Sequence, residues 1–158
     1  MTGTNRAICA LQSRHMEPHY YNLSVSWTKD RRGILHSNEL NDELEVATPP
    51  PFPGGVARLW SPEHLLTASV ASCFMTTFLA IAEKSRLEFQ SFFCASSGKL
   101  EQIDGSYLMT EIVLRPVLQI HTETDKEKAG RILQKAEEMC LITKSIRCTV
   151  TMEPELRW

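Results

Sequence analysis

The side chains best able to do chemistry in this sequence are its cysteines, and two of the five stand apart. Cys73 lies inside TASVASCFMTTFLAIAEK (67–84), within a run that carries no charge from Leu65 to Ala82. Cys140 lies in KAEEMCLITKSI, on the apolar stripe of a second helix-periodic segment. A thiolate is a nucleophile and a thiol hardly is; an unperturbed cysteine has a pKa of about 8.5, and burial raises it. A buried cysteine is therefore inert filler unless something stabilises its anion. Its own helix offers Cys73 little, because it sits more than three turns from the expected N-terminus. No Lys or Arg lies between Glu63 and Glu83. The expected activator is a cation brought from elsewhere: Arg31 or Arg32 in a turn, or Arg58 ahead of the helix. If the two helices pack together, the sulfurs of Cys73 and Cys140 can meet, provided their Cα atoms approach to roughly 4.4–6.8 Å.

Composition narrows the chemistry. An odd number of cysteines with no C-x-x-C pair argues against a zinc knuckle or a disulfide scaffold. His15 and His19 are four apart, but Pro18 between them spoils a regular helix and no third ligand is evident; no metal or bound cofactor is expected. The net charge of −2 gives no basic field for nucleic acid or for an anionic membrane. The uncharged run touches the lower limit for a membrane span. It holds Thr67, Ser69, Ser72, Thr76 and Thr77, however, and glutamates close in on both sides. It is expected to be a helix buried on most sides, with no membrane partner. The N-terminal stretch lacks an apolar h-region, so a reducing cytoplasm is expected, where paired cysteines do redox chemistry.

The elements that must hold these residues follow from periodicity. Residues 1–18 are expected to form a loose arm and 19–158 one domain. YYNLSVSW alternates, with Tyr21, Leu23, Val25 and Trp27 on one face of a half-buried strand. KDRRG is a turn, and ILHS and ELEVAT are two further short strands. TPPPFPGG is a stiff loop. Ser61, Pro62 and Glu63 then supply the N-cap, first position and dipole partner of a helix to about Arg86. Two long strands, roughly 90–102 and 107–121, join through Asp104-Gly105, and Pro116 predicts an edge or a bulge. A capping box at Thr124 opens an amphipathic helix from Ala129 to Ile146, and CTVTMEPEL closes the chain as a strand. The order is βββ-α-ββ-α-β, an α+β fold.

SPEHLLTASVASCF resembles the OsmC/Ohr family motif, in which N-P-E-x-L leads to an A-x-C-F cysteine, and Glu63 falls ten residues before Cys73 as it does there. KAEEMCLITKSI resembles the family's second-cysteine helix, A-x-x-x-C-P-[VI]-[ST]-x-x-[LI]. The resemblance covers about residues 20–153. It implies antiparallel sheets packed around two long helices in an intertwined homodimer, with active sites at the subunit interface. The activity implied is reduction of organic hydroperoxides to alcohols. Cys73 is then peroxidatic and Cys140 resolving, joined after oxidation by a disulfide that a lipoyl- or thioredoxin-like dithiol resets. An arginine and Glu63 shape the thiolate's pocket. Matching Gly33 to the family's turn glycine makes Arg31 that arginine; Arg58 is the alternative by the OsmC branch, and Arg32 lies one register step away. Ten residues of straight helix rise about 15 Å. Glu63 and Cys73 of one chain therefore cannot both touch one guanidinium; a second chain can supply the glutamate and arginine, so the spacing favours an interface site. Phe74, Met75, Phe78 and Phe52 are expected to give an apolar wall for the peroxide. The alternative reading is a non-catalytic or ligand-binding OsmC-like stress protein. Three positions depart from the pattern: Leu141 stands where the family has proline, His64 follows the glutamate, and RLWSPE replaces a glycine-rich lead.

Overall fold

A computed structural model describes residues 17–158; the arm expected over 1–18 falls almost wholly outside them, as do Cys9 and His15. The chain forms β1 (Ser24–Lys29), β2 (Arg32–His36), β3 (Leu44–Ala47), α1 (Pro62–Lys84), β4 (Phe89–Ile103) and β5 (Ser106–Ile120). After a 3-10 turn follow α2 (Lys126–Met139), α3 (Leu141–Ser145), β6 (Thr149–Met152) and β7 (Glu155–Arg157). The α+β class is as expected, with two differences in the second half. The second helix is broken at Cys140, and the last strand is broken at Glu153-Pro154.

The first sheet is the antiparallel meander β1-β2-β3, with Ser24 paired to His36 and Arg32 to Ala47. Asp30, at a φ of 48°, turns the first hairpin, and the Trp27 indole donates to its carbonyl at 3.0 Å. Val25 and Trp27 share a face of β1, which Tyr21 and Leu23 precede, and among the described residues none buries this row: the four are 88%, 68%, 64% and 76% exposed, Tyr21 to Trp27 in order. The half-buried strand expected from alternation is thus, among the described residues, an uncovered one. So long a row of apolar side chains left in water marks a contact surface.

The second sheet is built on β4 and β5, antiparallel from Phe89–Ile120 to Ile103–Ser106 across an Asp104-Gly105 turn with both residues at positive φ. On the far side of β5, β6 and β7 run parallel to it, so this sheet is mixed rather than antiparallel. The reason is the helical crossover, which returns the chain to the sheet in the direction of β5. Pro116 is therefore in a central strand, not at an edge. β6 pairs with Glu111–Leu114 and β7 with Val117–Gln119, which leaves Pro116 at the gap between them. A residue with no N–H is tolerated where the neighbouring chain breaks.

α1 starts as its sequence dictates. Ser61 caps it, accepting from the His64 N–H at 3.4 Å, with Pro62 at the first position. It ends in a Schellman arrangement: Arg86 takes φ 51°, the Leu87 N–H reaches the Ala82 carbonyl at 2.9 Å, and the Arg86 N–H reaches Glu83 at 3.0 Å. The capping box expected at Thr124 does not form. Thr122 caps the 3-10 turn instead, its hydroxyl meeting Thr124 at 2.7 Å and Asp125 at 3.2 Å.

Val70, Phe74, Phe78 and Ala82 recur at four-residue spacing on α1 and are fully buried against Ile112, Leu114, Leu118 and Ile120 of β5 and Ala129, Ile132, Leu133 and Ala136 of α2. Phe78 stacks on Phe92 at 4.9 Å and meets Phe89 edge-on at 5.3 Å; Phe74 lies 6.0 Å from Phe92. By length and composition α1 is apolar enough to cross a membrane, with mean hydropathy 1.9 over its best window. In the fold its phenylalanine stripe is spent on the sheet and α2.

Phe74 and Phe78 were expected on a substrate wall, and their burial corrects this: they are core. Phe78→Ala should lower unfolding stability by about 3–5 kcal/mol, read from urea denaturation, because a cavity adds to the lost transfer energy. A wall residue would change peroxide KM and leave the urea midpoint in place.

Candidate active site

Cys73 lies on the face of α1 that meets the second helical segment, and both α2 and α3 pack on α1. It is half-buried, Cys140 is fully buried, and both are free thiols. The break at Cys140 places the two together. Its backbone is extended (φ −60°, ψ 114°); its N–H closes α2 on the Glu137 carbonyl at 3.2 Å, and its carbonyl opens α3 by accepting from Lys144 at 3.2 Å. The first amides of a helix have no internal partner. In α3 those amides belong to Leu141 and Ile142, and both are among the groups that lower the Cys73 thiol.

The two thiols are driven in opposite directions. Burial pushes Cys73 up, but the Ile142 N–H, the Cys140 S–H, the Thr77 hydroxyl and the Leu141 N–H together outweigh it and hold the thiol below its ordinary value. Burial pushes Cys140 up; the adjoining Thr143, whose enclosed hydroxyl has no hydrogen-bond partner, opposes this only in part, and the neighbouring Cys73 adds to the rise. The result is one sulfur disposed to be a thiolate and, within hydrogen-bonding reach, a second disposed to stay protonated. Cys94 and Cys148 are both raised chiefly by burial.

Sequence reasoning expected a cation to stabilise Cys73. Within this chain the stabilisation comes from neutral donors, because the helix break puts a second helix start against the sulfur. Leu141 contributes directly: its N–H is one of the donors, and a proline there would have none.

The arginine and glutamate are gathered at a different place. A cavity of about 510 Å³ is lined by Val25, Trp27, Arg31, Phe52, Pro62 and Glu63, among others, and Arg32 also borders it. One carboxylate oxygen of Glu63 is enclosed and has no hydrogen-bond partner. Arg31 stands in the β1-β2 turn and lies across Gly54; a side chain at Gly54 would put its Cβ 3.2 Å from the Arg31 Cγ, so glycine lets the arginine cross there. Arg32 pairs with Glu45 at 3.4 Å. Arg58 is exposed, at φ 64°, and does not border this cavity. Phe52 does, and its ring meets Tyr107 edge-on at 5.1 Å. Met75 is 38% exposed on the outer face of α1. His64, the residue after the glutamate, turns its Nδ1 to the Ser61 hydroxyl at 2.8 Å. It borders a second cavity of about 530 Å³, on the other side of Glu63, with Trp60, Thr67 and Met109.

One chain therefore brings together Cys73 with Cys140, and Arg31 with Glu63, but does not bring these pairs to each other; neither cavity is bordered by a cysteine. Thr77 and Ile142 are site residues that the sequence reading missed. Thr77 had a signal, its i+4 spacing from Cys73. The donors in α3 had none, since the break at Cys140 is not marked by glycine or proline.

Residues 55–155 match the family model described as OsmC-like protein. A protein of Bacillus subtilis, the uncharacterized YmaD, is 25% identical over 145 residues, spanning 89% of this chain and 95% of that one. Among solved structures, an OsmC-like protein of unknown function from Vibrio cholerae superposes with a TM-score of 0.76 at 23% identity, covering 87% of this chain and 99% of the other. An organic hydroperoxide resistance protein from Elizabethkingia anophelis superposes with a TM-score of 0.69 at 20% identity, covering 90% and 99%.

Proposed function

We propose that this chain, which belongs to the OsmC-like protein family, is a thiol-dependent peroxidase that reduces organic hydroperoxides to alcohols. The observation that carries the reading is the pair of adjacent free thiols with opposed acidities, Cys73 held down and Cys140 held up. The Cys73 thiolate attacks one oxygen of the hydroperoxide. An S–O bond forms, the O–O bond breaks, and the departing alkoxide takes up a proton to leave as the alcohol. Cys73 is then a sulfenic acid. The Cys140 sulfur attacks it, forming the S–S bond and releasing water. An external dithiol, lipoyl- or thioredoxin-like, reduces the disulfide by two exchange steps and is itself oxidised. No bound metal or cofactor enters, and the place of action is the cytoplasm.

The acting unit is a homodimer. Two features support this: the uncovered row Tyr21, Leu23, Val25 and Trp27, and the rise of about 15 Å that separates Glu63 from Cys73 along α1. A partner chain then brings Arg31 and Glu63 to Cys73, where the guanidinium adds a charge to the neutral donors already present. The apolar cavity around Phe52 would hold the organic part of the peroxide.

The direct test is consumption of tert-butyl or cumene hydroperoxide by the purified protein with a dithiol. Absence of turnover with both thiols reduced would sink the enzyme reading. Subunit mixing tests the shared site. Cys73→Ser and an Arg31→Ala/Glu63→Gln double variant should each be inactive alone. Unfolded and refolded together, they should recover about a quarter of wild-type activity, because half the dimers are mixed and each mixed dimer has one intact site. No recovery, with mixed dimers present, means that arginine and cysteine act within one chain.

A further inference from the structure

The two thiols of the candidate site differ in access as well as in acidity. Cys140 is enclosed by its own chain, at 0% exposure, in the joint between α2 and α3. A partner subunit can add cover to it but remove none. Cys73 keeps part of its surface open, and Ser72 and Thr76 beside it on α1 are exposed. Access matters because thiol–disulfide exchange is directional. The incoming thiolate meets one sulfur from the side opposite that sulfur's partner, and the partner departs. Once the two cysteines are joined, Cys140 offers no such approach, since no part of the residue meets solvent. Cys73 does.

We propose that the reducing dithiol attacks Cys73 and not Cys140: the sulfur that takes the peroxide oxygen also takes the reductant, and Cys140 is the thiol released. The inference rests on the Cys73–Cys140 disulfide of the proposed reaction and adds the order of its reduction. In the first exchange a thiolate of the reductant forms an S–S bond to Cys73. The Cys73–Cys140 bond breaks, and Cys140 leaves with the electron pair and takes up a proton. In the second the reductant's other thiolate attacks the reductant's own bound sulfur. Its internal disulfide closes, the bond to Cys73 breaks, and Cys73 leaves as the thiolate; the dithiol has lost two hydrogens. Acidity alone favours the opposite order in the first exchange, because the more acidic thiol is the better leaving group, and that is Cys73. The enclosure of Cys140 overrides it. Acidity then helps: a protonated Cys140 is slow to attack the mixed disulfide and reverse the step, and Cys73 is the good leaving group in the second. Peroxide and reductant thus use one sulfur and one entrance in turn.

The test needs no peroxide and no substitution. The full chain is oxidised with diamide, and the Cys73–Cys140 disulfide is identified by peptide mass. A limiting amount of the monothiol 2-mercaptoethanol is added, which has no second thiol to complete the cycle. Early samples are quenched in acid, free thiols are capped with N-ethylmaleimide, and the digest is read by mass spectrometry. The mercaptoethanol adduct should lie on Cys73 and the maleimide on Cys140, in excess of the reverse pairing by about tenfold or more. In urea, where both sulfurs are open, that excess should vanish. An adduct mainly on Cys140, or shared evenly, in the folded chain overturns the proposal. So does an excess that survives in urea, because access is then not its cause. If diamide gives no Cys73–Cys140 disulfide, the pair itself is lost and the peroxidase reading with it; an adduct on Cys140 overturns the order of exchange and leaves that reading standing.

Discussion

Cys73→Ser should abolish dithiol-dependent peroxide turnover, a loss of about a thousandfold or more, because a serine hydroxyl is not ionised where this thiol is. The loss should appear in the first oxidation, measured in a single turnover without dithiol, and not only in the steady state. The wild-type profile against pH carries a sign that checks the cause. The donors around Cys73 hold its pKa below the ordinary thiol range, so the rate of attack should stay flat as pH falls through that range. It should drop only at the lower, shifted midpoint, where the thiolate takes its proton back. A rate that falls from pH 8.5 downward, the behaviour of a free thiol of about that pKa, would mean that the donors from α3 do not act on the sulfur.

Cys140→Ser separates attack from resolution. The serine keeps an O–H to donate to Cys73, so the first oxidation should proceed at close to the wild-type rate. No disulfide can follow. Under one equivalent of organic peroxide the wild-type mass should fall by two hydrogens, whereas the variant should gain an oxygen and, with more peroxide, a second and third. Turnover supported by a dithiol should fall by about tenfold or more, since each cycle then waits on an external thiol reaching a half-buried sulfenic acid. Normal turnover in this variant would remove Cys140 from the resolving role. Cys140→Ala should show the same mass pattern with a slower first step, because it also removes a donor to the thiolate.

How far the sequence reached depends on whether a feature is local. The start of α1 was legible because Ser61, Pro62 and Glu63 act on neighbouring backbone. The Asp104-Gly105 hairpin was legible for the same reason. What the sequence could not show was which surfaces meet. The four-residue repeat Val70, Phe74, Phe78, Ala82 marks a buried stripe, but nothing local tells a core phenylalanine from a pocket one. The row Tyr21 to Trp27 alternates as a half-buried strand does, yet nothing among the described residues covers it. The parallel pairing of β6 and β7 with β5 follows from the crossover and not from the strand sequences.

The break at Cys140 was hidden for a more particular reason. In the family's pattern a proline follows the second cysteine, and proline at a first helical position announces a new start. Here Leu141 continues the apolar periodicity, so the segment reads as one helix through Ile146. The same substitution that conceals the break supplies the extra N–H. The activation of Cys73 was thus expected from a distant charge, whereas the lowering of its thiol within one chain is traced to neutral neighbours, backbone amides among them, that no motif displays. The arginine question narrowed in a different way: Arg31 shares a cavity with Glu63, Arg32 is engaged with Glu45, and Arg58 is out in solvent.

On the proposed mechanism, the bend of the chain at Cys140 would also set up a kinetic race. A resolving thiol held beside the sulfenic acid is an intramolecular reactant, and well-placed intramolecular partners reach effective molarities far above any dissolved concentration, of order 10⁵ M in favourable cases. A second peroxide molecule must come by diffusion from a dilute pool. The outcome of each cycle is then set less by how much peroxide is present than by how long the bend keeps the two sulfurs in register. A substitution that loosens residues 140–142 should therefore show itself first as peroxide sensitivity, at concentrations the intact protein ignores, while its initial reactivity and its fold are still intact.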